Sequence, residues 1–215
     1  DSVASRGLGD VYKRQDAEFT AIARRGDGRM VLGDAGGTVY TLAADNTVAA
    51  SLKIFARVDG IVTQGDTAVV LDRGQTSVTS LNAEGTSADL ALRAGDGATT
   101  MVADPNGRVL VADTRGGELL VYGVDPLMLR QRYPVPDSPY GLTASGGKKV
   151  GLAWAAQTAT NTVVGYDLAT GIPVEKVRYR TVQQPNTLAF DDASDTLYVV
   201  SGTGGGVQVI PGAAP

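Results

Sequence analysis

The stretch TTMVADPNGRVLVADTRGGELLVYGV, from Thr99 to Val124, contains three runs of apolar and β-branched residues separated by two turn sequences. The turn sequences PNG and TRGG are built from residues that tight hairpin turns prefer. Val, Leu, Thr and Tyr dominate the three runs, as they do in β-strands. The stretch therefore predicts three short antiparallel strands joined by hairpin turns.

The same three-strand unit recurs along the chain at a spacing of about forty residues. Two copies precede the quoted stretch and two follow it, at Phe19–Ala43, Gly60–Asn82, Tyr140–Leu168 and Asn186–Gly212. The sequence places the ends of the five second strands at Asp34, Asp72, Asp113, Trp154 and Ser201. These positions are separated by 38, 41, 41 and 47 residues. A more polar segment with strand character follows each of the first four copies, at residues 47–54, 87–92, 129–135 and 173–179.

Four short antiparallel strands that repeat in this way are typical of β-propeller blades, which bury both faces by packing radially against their neighbours. The second strands are nearly continuous apolar runs, as expected for strands covered on both faces. We therefore predict an all-β fold with about five four-stranded antiparallel blades, from a parent of about seven. The blades are placed at residues 16–56, 57–96, 97–137, 138–182 and 183–215. The alternative is a β-sandwich of five hairpins, which does not require the turn types to recur in register.

Residues 1–15, DSVASRGLGDVYKRQ, lack this patterning, and GLGDVYKRQ resembles a translated sequencing-adaptor tail. We interpret these residues as a non-native, disordered segment and leave them out of the fold prediction. A native disordered leader is the alternative. The fifth copy stops after its third strand, and we expect the strand that completes its blade to lie upstream of Asp16.

The 215-residue chain contains no Cys and no His, and its net charge is −4. Without these two residue types the chain has no disulfide, no Cys-ligated or His-ligated metal and no Ser-His-Asp catalysis. The acidic balance argues against nucleic acid as the partner, because proteins that bind nucleic acid usually carry a basic face. No apolar run in the sequence is long enough to span a membrane as a helix.

Motifs in the fourth and fifth copies resemble those of a known family. The stretch NTVVGYDLATGIPVEKV at residues 161–177 contains an N-T-V pattern followed by D-x-x-T-G, and Pro139 and Pro185 stand at the starts of inner strands. Together with DTLYVVS at residues 195–201, these motifs resemble the YncE-like seven-bladed propellers. They resemble the lactonase-type and quinoprotein-type propellers less closely. The first three copies fit the YncE-like pattern only loosely.

The resemblance implies a non-catalytic binding or scaffold protein of the bacterial cell envelope, either periplasmic, secreted or lipid-anchored through an upstream segment. Its partner would be a protein or a small-molecule ligand at the top face of the propeller. Two enzymatic alternatives stay open: a lactonase-like hydrolase that uses a divalent cation to activate water, and a quinone-cofactor oxidoreductase. The shared motifs are structural, so they specify no activity by themselves.

Five residues are candidates for ligand contact, because the starts of inner strands and the ends of second strands approach the central channel of a propeller or its rim. They are Arg57, Asp59, Tyr140, Trp154 and Asn186. Trp154 is the only Trp in the chain and offers a flat stacking surface with one hydrogen-bond donor. A buried packing role for Trp154, and turn-stabilising roles for Asp59 and Asn186, are the alternatives.

An acidic cluster in the fifth copy, formed by Asp191, Asp192 and Asp195, offers oxygen ligands for a divalent cation such as calcium. The spacing lacks the bidentate Glu and the full loop of an EF-hand, and turn formation is the simpler interpretation. The sequence therefore identifies no cofactor and leaves a divalent cation open.

Overall fold

The computed structural model describes residues 17–146 and 151–215, and the regular structure in these ranges is β-strand throughout. Nineteen strands in the described ranges form four four-stranded sheets and one three-stranded sheet. The strands of each sheet follow one another in sequence and pair antiparallel. This arrangement confirms the predicted all-β fold with antiparallel propeller blades. The interpretation of residues 1–15 as adaptor-derived concerns a segment that lies outside the described residues.

The five sheets use consecutive strands. The first contains β1 (Phe19–Arg24), β2 (Met30–Asp34), β3 (Thr38–Leu42) and β4 (Val48–Lys53). The second contains β5 (Gly60–Gln64), β6 (Thr67–Asp72), β7 (Ser77–Leu81) and β8 (Ala88–Arg93). The third contains β9 (Ala98–Ala103), β10 (Arg108–Asp113), β11 (Glu118–Val124) and β12 (Leu127–Pro134). The fourth contains β13 (Pro139–Ala144), β14 (Leu152–Gln157), β15 (Thr162–Asp167) and β16 (Val174–Arg180), and the fifth contains β17 (Pro185–Asp191), β18 (Thr196–Ser201) and β19 (Val207–Pro211).

Neighbouring sheets pack side by side through their first strands, β1 against β5, β5 against β9, β9 against β13 and β13 against β17. Consecutive strands alternate in direction. The turns between second and third strands therefore lie at the same end as the loops that lead into the next sheet. We call this end the upper rim. The upper rim places loops from successive sheets next to one another around the inner strands.

Apolar side chains fill the spaces between neighbouring sheets. Each of four core clusters draws residues from two adjacent sheets; Val69 of the second sheet and Val109 of the third, for example, are both 0% exposed in one cluster. Burying a Val or Leu side chain contributes about 1.5–3 kcal/mol. Each sheet is therefore stabilised mainly by the sheet beside it, as in a propeller.

The second strand of the fourth copy differs from its prediction by three residues. The repeat predicts that this strand ends at Trp154, whereas β14 spans Leu152–Gln157 and Trp154 lies in its middle, paired with Thr143 and Gly165. The strand is buried on both faces, so no alternation of apolar and polar residues marks its end. With Gln157 at that end, the five second strands end at intervals of 38, 41, 44 and 44 residues.

Candidate functional site

A buried aspartate at the end of β6 joins two loops of the upper rim. The Asp72 side chain is 0% exposed, and its Oδ2 accepts hydrogen bonds from the backbone N–H groups of Ala56 at 2.7 Å and Arg57 at 3.4 Å. Its Oδ1 accepts the N–H of Gln75 at 3.1 Å, in the turn that follows β6. One carboxylate thus fixes both the loop that enters the second sheet and the turn beside it. We call this arrangement a clamp.

The third sheet repeats the clamp with Asp113 at the end of β10. Asp113 is 0% exposed and accepts the N–H groups of Asp96 at 2.8 Å, Gly97 at 2.8 Å and Gly116 at 2.9 Å. The first two belong to the loop that enters the sheet, and the third belongs to the turn after β10. A Cβ on Gly95 or Gly116 would overlap the Asp113 carboxylate, so the clamp requires glycine at both positions.

Uncharged residues hold the corresponding position in the last two sheets. The Gln157 side chain donates from Nε2 to the Pro136 carbonyl at 2.9 Å, in the loop that enters the fourth sheet. The Ser201 hydroxyl donates to the Gln183 carbonyl at 2.6 Å and accepts the N–H of Gly205 at 3.0 Å. From the second sheet to the fifth, the residue that ends the second strand therefore bonds to the loop that enters its sheet, although the residue type changes.

Asp34 occupies the clamp position of the first sheet and accepts hydrogen bonds from the Thr38 N–H and the Tyr40 hydroxyl, both at 2.9 Å. Burial by itself raises the pKa of this carboxyl. The hydrogen bonds outweigh burial and hold the pKa below its ordinary value of 3.8. Because the folded state prefers the ionised form, Asp34 stabilises the protein above about pH 4, and this contribution is lost as the pH falls through the lowered pKa.

We expect Asp34→Asn to lower the free energy of unfolding by about 1 kcal/mol at neutral pH, and we expect this difference to shrink below about pH 4. Urea unfolding of both proteins at neutral and acidic pH measures the effect. Asp89→Asn, at an exposed position of β8, is the control and should leave stability unchanged at every pH. A difference that stays constant down to about pH 3 would contradict the assigned role of the Asp34 carboxylate.

A cleft of about 690 Å³ opens at the upper rim, where the second, third and fourth sheets meet. Three arginines, Arg57, Arg73 and Arg115, line the cleft. The remaining lining residues are small or carry hydroxyl groups: Gly74, Thr76, Gly97, Ala98, Thr99, Thr114 and Ser138. The volume falls within the ~300–1,000 Å³ typical of ligand sites. We call this site the arginine cleft.

An acidic residue positions two of the three arginines. The Oδ1 atom of Asp59 lies 2.7 Å from Nε of Arg57, and its Oδ2 accepts the backbone N–H of Arg73 at 2.8 Å. The Asp59 side chain is 6% exposed, whereas that of Arg57 is 49% exposed. The guanidinium carbon of Arg73 lies 6.0 Å from the centre of the Tyr140 ring, at the outer limit of a cation–π contact. Asp59 and Tyr140 therefore form part of one constellation with Arg57 and Arg73.

The third arginine, Arg115, is exposed on the turn between β10 and β11, and its side chain lies across Gly97. A Cβ at position 97 would lie 2.8 Å from the Arg115 Cβ, so glycine leaves room for the arginine here. In the described part of the chain, no carboxylate forms an ion pair with Arg73 or Arg115. These two guanidinium groups are therefore open to an external anion.

Of the five predicted ligand contacts, Arg57 lines the arginine cleft, and Asp59 and Tyr140 contact its arginines without lining it. Asn186 stands at the start of β17, as predicted, but its side chain packs against Gly202 and does not line the cleft. That these residues bind a ligand remains a prediction.

Trp154 requires a correction, because it lies neither at a strand end nor at the rim. Its side chain is 0% exposed and packs in the core between the fourth and fifth sheets. The indole stacks on the rings of Phe190, with 5.7 Å between ring centres, and Tyr179, with 6.4 Å. The sequence left two roles open for Trp154, ligand contact at the rim and packing in the core. Its position in the structure is that of a core packing residue.

The acidic cluster of the fifth sheet uses its carboxylates in hydrogen bonds within the protein. Asp191 accepts the Ser194 hydroxyl at 2.6 Å, Asp192 accepts the Gly146 N–H at 2.9 Å, and Asp195 accepts the Ala214 N–H at 3.1 Å. The Ser194 hydrogen bond lowers the pKa of Asp191. Within residues 17–146 and 151–215, no three acidic side chains are grouped so that they could hold a metal ion. The lactonase-like hypothesis, which needs a divalent cation, therefore stays a prediction without a described ligand set.

Arg73 and Arg115 are not among the residues predicted to contact a ligand, although each follows a clamp aspartate, in DRG at residues 72–74 and DTRG at residues 113–116. An arginine one or two residues after the end of a second strand was the available signal. Whether such arginines form one site depends on whether two turns from different sheets lie side by side. No local sequence pattern specifies this.

Comparisons with known proteins identify the fold and no family. No protein-family model and no curated protein matches the chain. Among solved structures, a chain of the mitotic checkpoint complex matches with a TM-score of 0.75 and 9% identity, over 87% of this chain and 60% of that one. BBS1N, in its complex with ARL6DN, matches with a TM-score of 0.71 and 13% identity, over 90% of this chain and 64% of BBS1N.

These matches support the β-propeller fold, and identities this low show the fold alone. The chain spans less than two thirds of the length of each matched structure. The finer resemblance to YncE-like propellers finds no support in these comparisons and stays a prediction. In addition, the described residues include no apolar helix of membrane-spanning length.

Proposed function

We propose that this chain is a non-catalytic binding and scaffold module that contacts a protein partner through the arginine cleft of its upper rim. The observation that carries the proposal is the make-up of that cleft. The second and third sheets and the loop that enters the fourth supply its walls, and two of its guanidinium groups have no carboxylate partner within the described residues. Arginine is enriched among the residues that dominate the binding energy of protein interfaces.

The rigidity of the upper rim supports a docking role. The Asp72 and Asp113 clamps fix the loops on both sides of the cleft in the absence of a partner. Less conformational entropy is therefore lost when a partner binds. The matched solved structures are also consistent with a protein partner, because both come from protein complexes.

We also propose that the protein acts in the bacterial cell envelope, as a secreted, periplasmic or lipid-anchored protein. Its support is the resemblance of residues 139–201 to YncE-like propellers and a composition with 14 Arg, 5 Lys and 28 Gly, which suits GC-rich bacterial codons. Fractionation of a bacterium that carries the complete reading frame tests this part. We expect the protein in the periplasmic, membrane or culture fraction, and recovery from the cytoplasm alone would overturn it.

A capture experiment with charge-reversed variants tests the docking role. The tagged protein and its Arg73→Glu/Arg115→Glu variant are incubated with envelope extract, and the bound proteins are identified. Reversing two charges at an interface costs several kcal/mol through like-charge repulsion. We therefore expect the variant to lose at least nine tenths of the partner that the unmodified protein retains.

Arg180→Glu is the matched control, because Arg180 lies exposed on the outer strand β16, away from the arginine cleft. This control should retain the partner in full. Equal retention by the cleft variant and the control would show that the partner docks elsewhere. If no protein is retained specifically and the chain turns over a lactone instead, the scaffold function is wrong.

A further inference from the structure

The charges of the arginine cleft indicate the chemistry of the segment that docks there, and this inference rests on the proposed function. Arg73 and Arg115 carry positive charges with no acidic partner in the described ranges, while Arg57 is paired with Asp59. The carboxylates of Asp72 and Asp113 do not line the cleft. Both are 0% exposed, and each accepts three backbone N–H groups. The exposed surface of the cleft is therefore dominated by guanidinium groups.

A guanidinium group presents its N–H donors in a planar fork that matches the two oxygens of a carboxylate or phosphate. Such charge-assisted hydrogen bonds are about twice as strong as neutral ones. The cation–π contact of Arg73 with Tyr140 orients that group without neutralising it. The cleft thus offers oriented donors to a ligand with oxyanion side chains.

The shape of the cleft favours a peptide over a single small anion. Its volume of about 690 Å³ is far larger than a phosphate or acetate ion, and its lining extends from the second and third sheets to Ser138 in the loop that enters the fourth. Gly74 lines it as an exposed residue without a side chain, so a main chain can approach the wall closely at this point. The hydroxyl groups of Thr76 and Ser138 add polar contacts between the arginines.

We infer that the arginine cleft binds an acidic peptide segment, whose carboxylate or phosphate oxygens accept hydrogen bonds from Arg73 and Arg115. Glutamate or aspartate side chains and phosphoserine share this chemistry. A binding experiment with both kinds of peptide separates carboxylate from phosphate recognition, and a nucleic acid serves in it as an alternative polyanion.

Fluorescence anisotropy of labelled synthetic peptides measures binding to the complete chain. The probes are a Glu-rich peptide, the same peptide with phosphoserine in place of one Glu, a Lys-rich peptide, and single-stranded oligothymidylate. We expect saturable binding of the Glu-rich or the phosphoserine peptide, and the tighter of the two identifies the oxyanion. We expect no binding of the Lys-rich peptide, and affinity should fall as salt is raised, because exposed charges are screened.

Substitutions in the cleft should act in opposite directions. Arg73→Ala and Arg115→Ala should each weaken the acidic peptide about tenfold, and Arg115→Lys should recover only part of the loss, since lysine lacks the fork. Asp59→Asn keeps an oxygen acceptor for the Arg73 N–H but removes the charge that pairs with Arg57, and should tighten binding about threefold. A merely structural role for Asp59 predicts weaker binding instead. Arg180→Ala is the matched control and should bind as the unmodified protein does.

Emission of Trp154 confirms that each variant is folded, because this single Trp is fully buried. Tighter binding of oligothymidylate than of either acidic peptide would overturn the inference, as would equal binding of the Lys-rich peptide. If neither acidic peptide binds, the inference of an acidic segment is wrong. The docking role would still stand if the capture experiment shows a partner that the Arg73→Glu/Arg115→Glu variant fails to retain.

Discussion

Replacing Trp154 by alanine is expected to lower the free energy of unfolding by about 3–5 kcal/mol. The indole is fully buried and fills the space between the fourth and fifth sheets, where it stacks on Phe190 and Tyr179. Its removal leaves a cavity at the contact that stabilises the fifth sheet. Urea unfolding followed by far-ultraviolet circular dichroism measures the loss, since the variant has no tryptophan to report on its fold.

The conservative variant Trp154→Phe measures how much of this stabilisation a smaller aromatic ring without the indole N–H still supplies. It keeps an aromatic ring between Phe190 and Tyr179 but loses the indole N–H, which donates to the Ser145 hydroxyl at 3.4 Å. We expect a smaller loss of about 1–2 kcal/mol from the reduced ring volume. A loss below about 1 kcal/mol for Trp154→Ala would contradict the buried position of the side chain.

Asp113→Ala is expected to destabilise the protein by about 3 kcal/mol or more, because three backbone N–H groups lose a charged acceptor. The buried position of the carboxylate makes the loss larger than for a surface residue. Two of the donors belong to the loop that enters the third sheet, and the third belongs to the turn that carries Arg115. Thermal unfolding of both proteins measures the effect.

The neighbouring residue Asp96 supplies the matched control. It lies in the same loop, but its side chain is 66% exposed and its contact with Arg93 spans 3.9 Å. Asp96→Ala should therefore change stability by less than about 0.5 kcal/mol. Asp113→Asn keeps a single oxygen acceptor and should fall between the two. Equal effects at positions 96 and 113 would show that the clamp does not stabilise the rim.

The Asp113 clamp also links stability to binding. Its carboxylate fixes Gly97, across which the Arg115 side chain lies, and Gly116, which follows Arg115 in the chain. A loosened turn would leave Arg115 charged but without a fixed orientation. Under the proposed function, the Asp113 variants should bind the partner more weakly even at temperatures where they remain folded.

The strands were predictable because their signals are local. Apolar runs of strand length and turns rich in Gly, Asp and Asn recur about every forty residues, and the sheets follow that order. The exception is β14, where a strand buried on both faces carries no alternation to mark its limits. Trp154 was therefore assigned to a strand end and to the rim, whereas the structure places it in the middle of the strand and in the core.

By itself, the sequence determined the all-β class, the repeating unit and the exclusion of chemistry that needs Cys or His, since these follow from composition and from contacts between neighbouring strands. Tertiary structure alone decided which rim residues meet. Arg57, Arg73 and Arg115 come from a loop and two turns that are far apart in the chain, and they line one cleft only because the second and third sheets pack side by side. The repeat predicts that neighbouring sheets pack together, but which side chains meet at the rim depends on the positions of loops from different sheets, and no local sequence pattern specifies these.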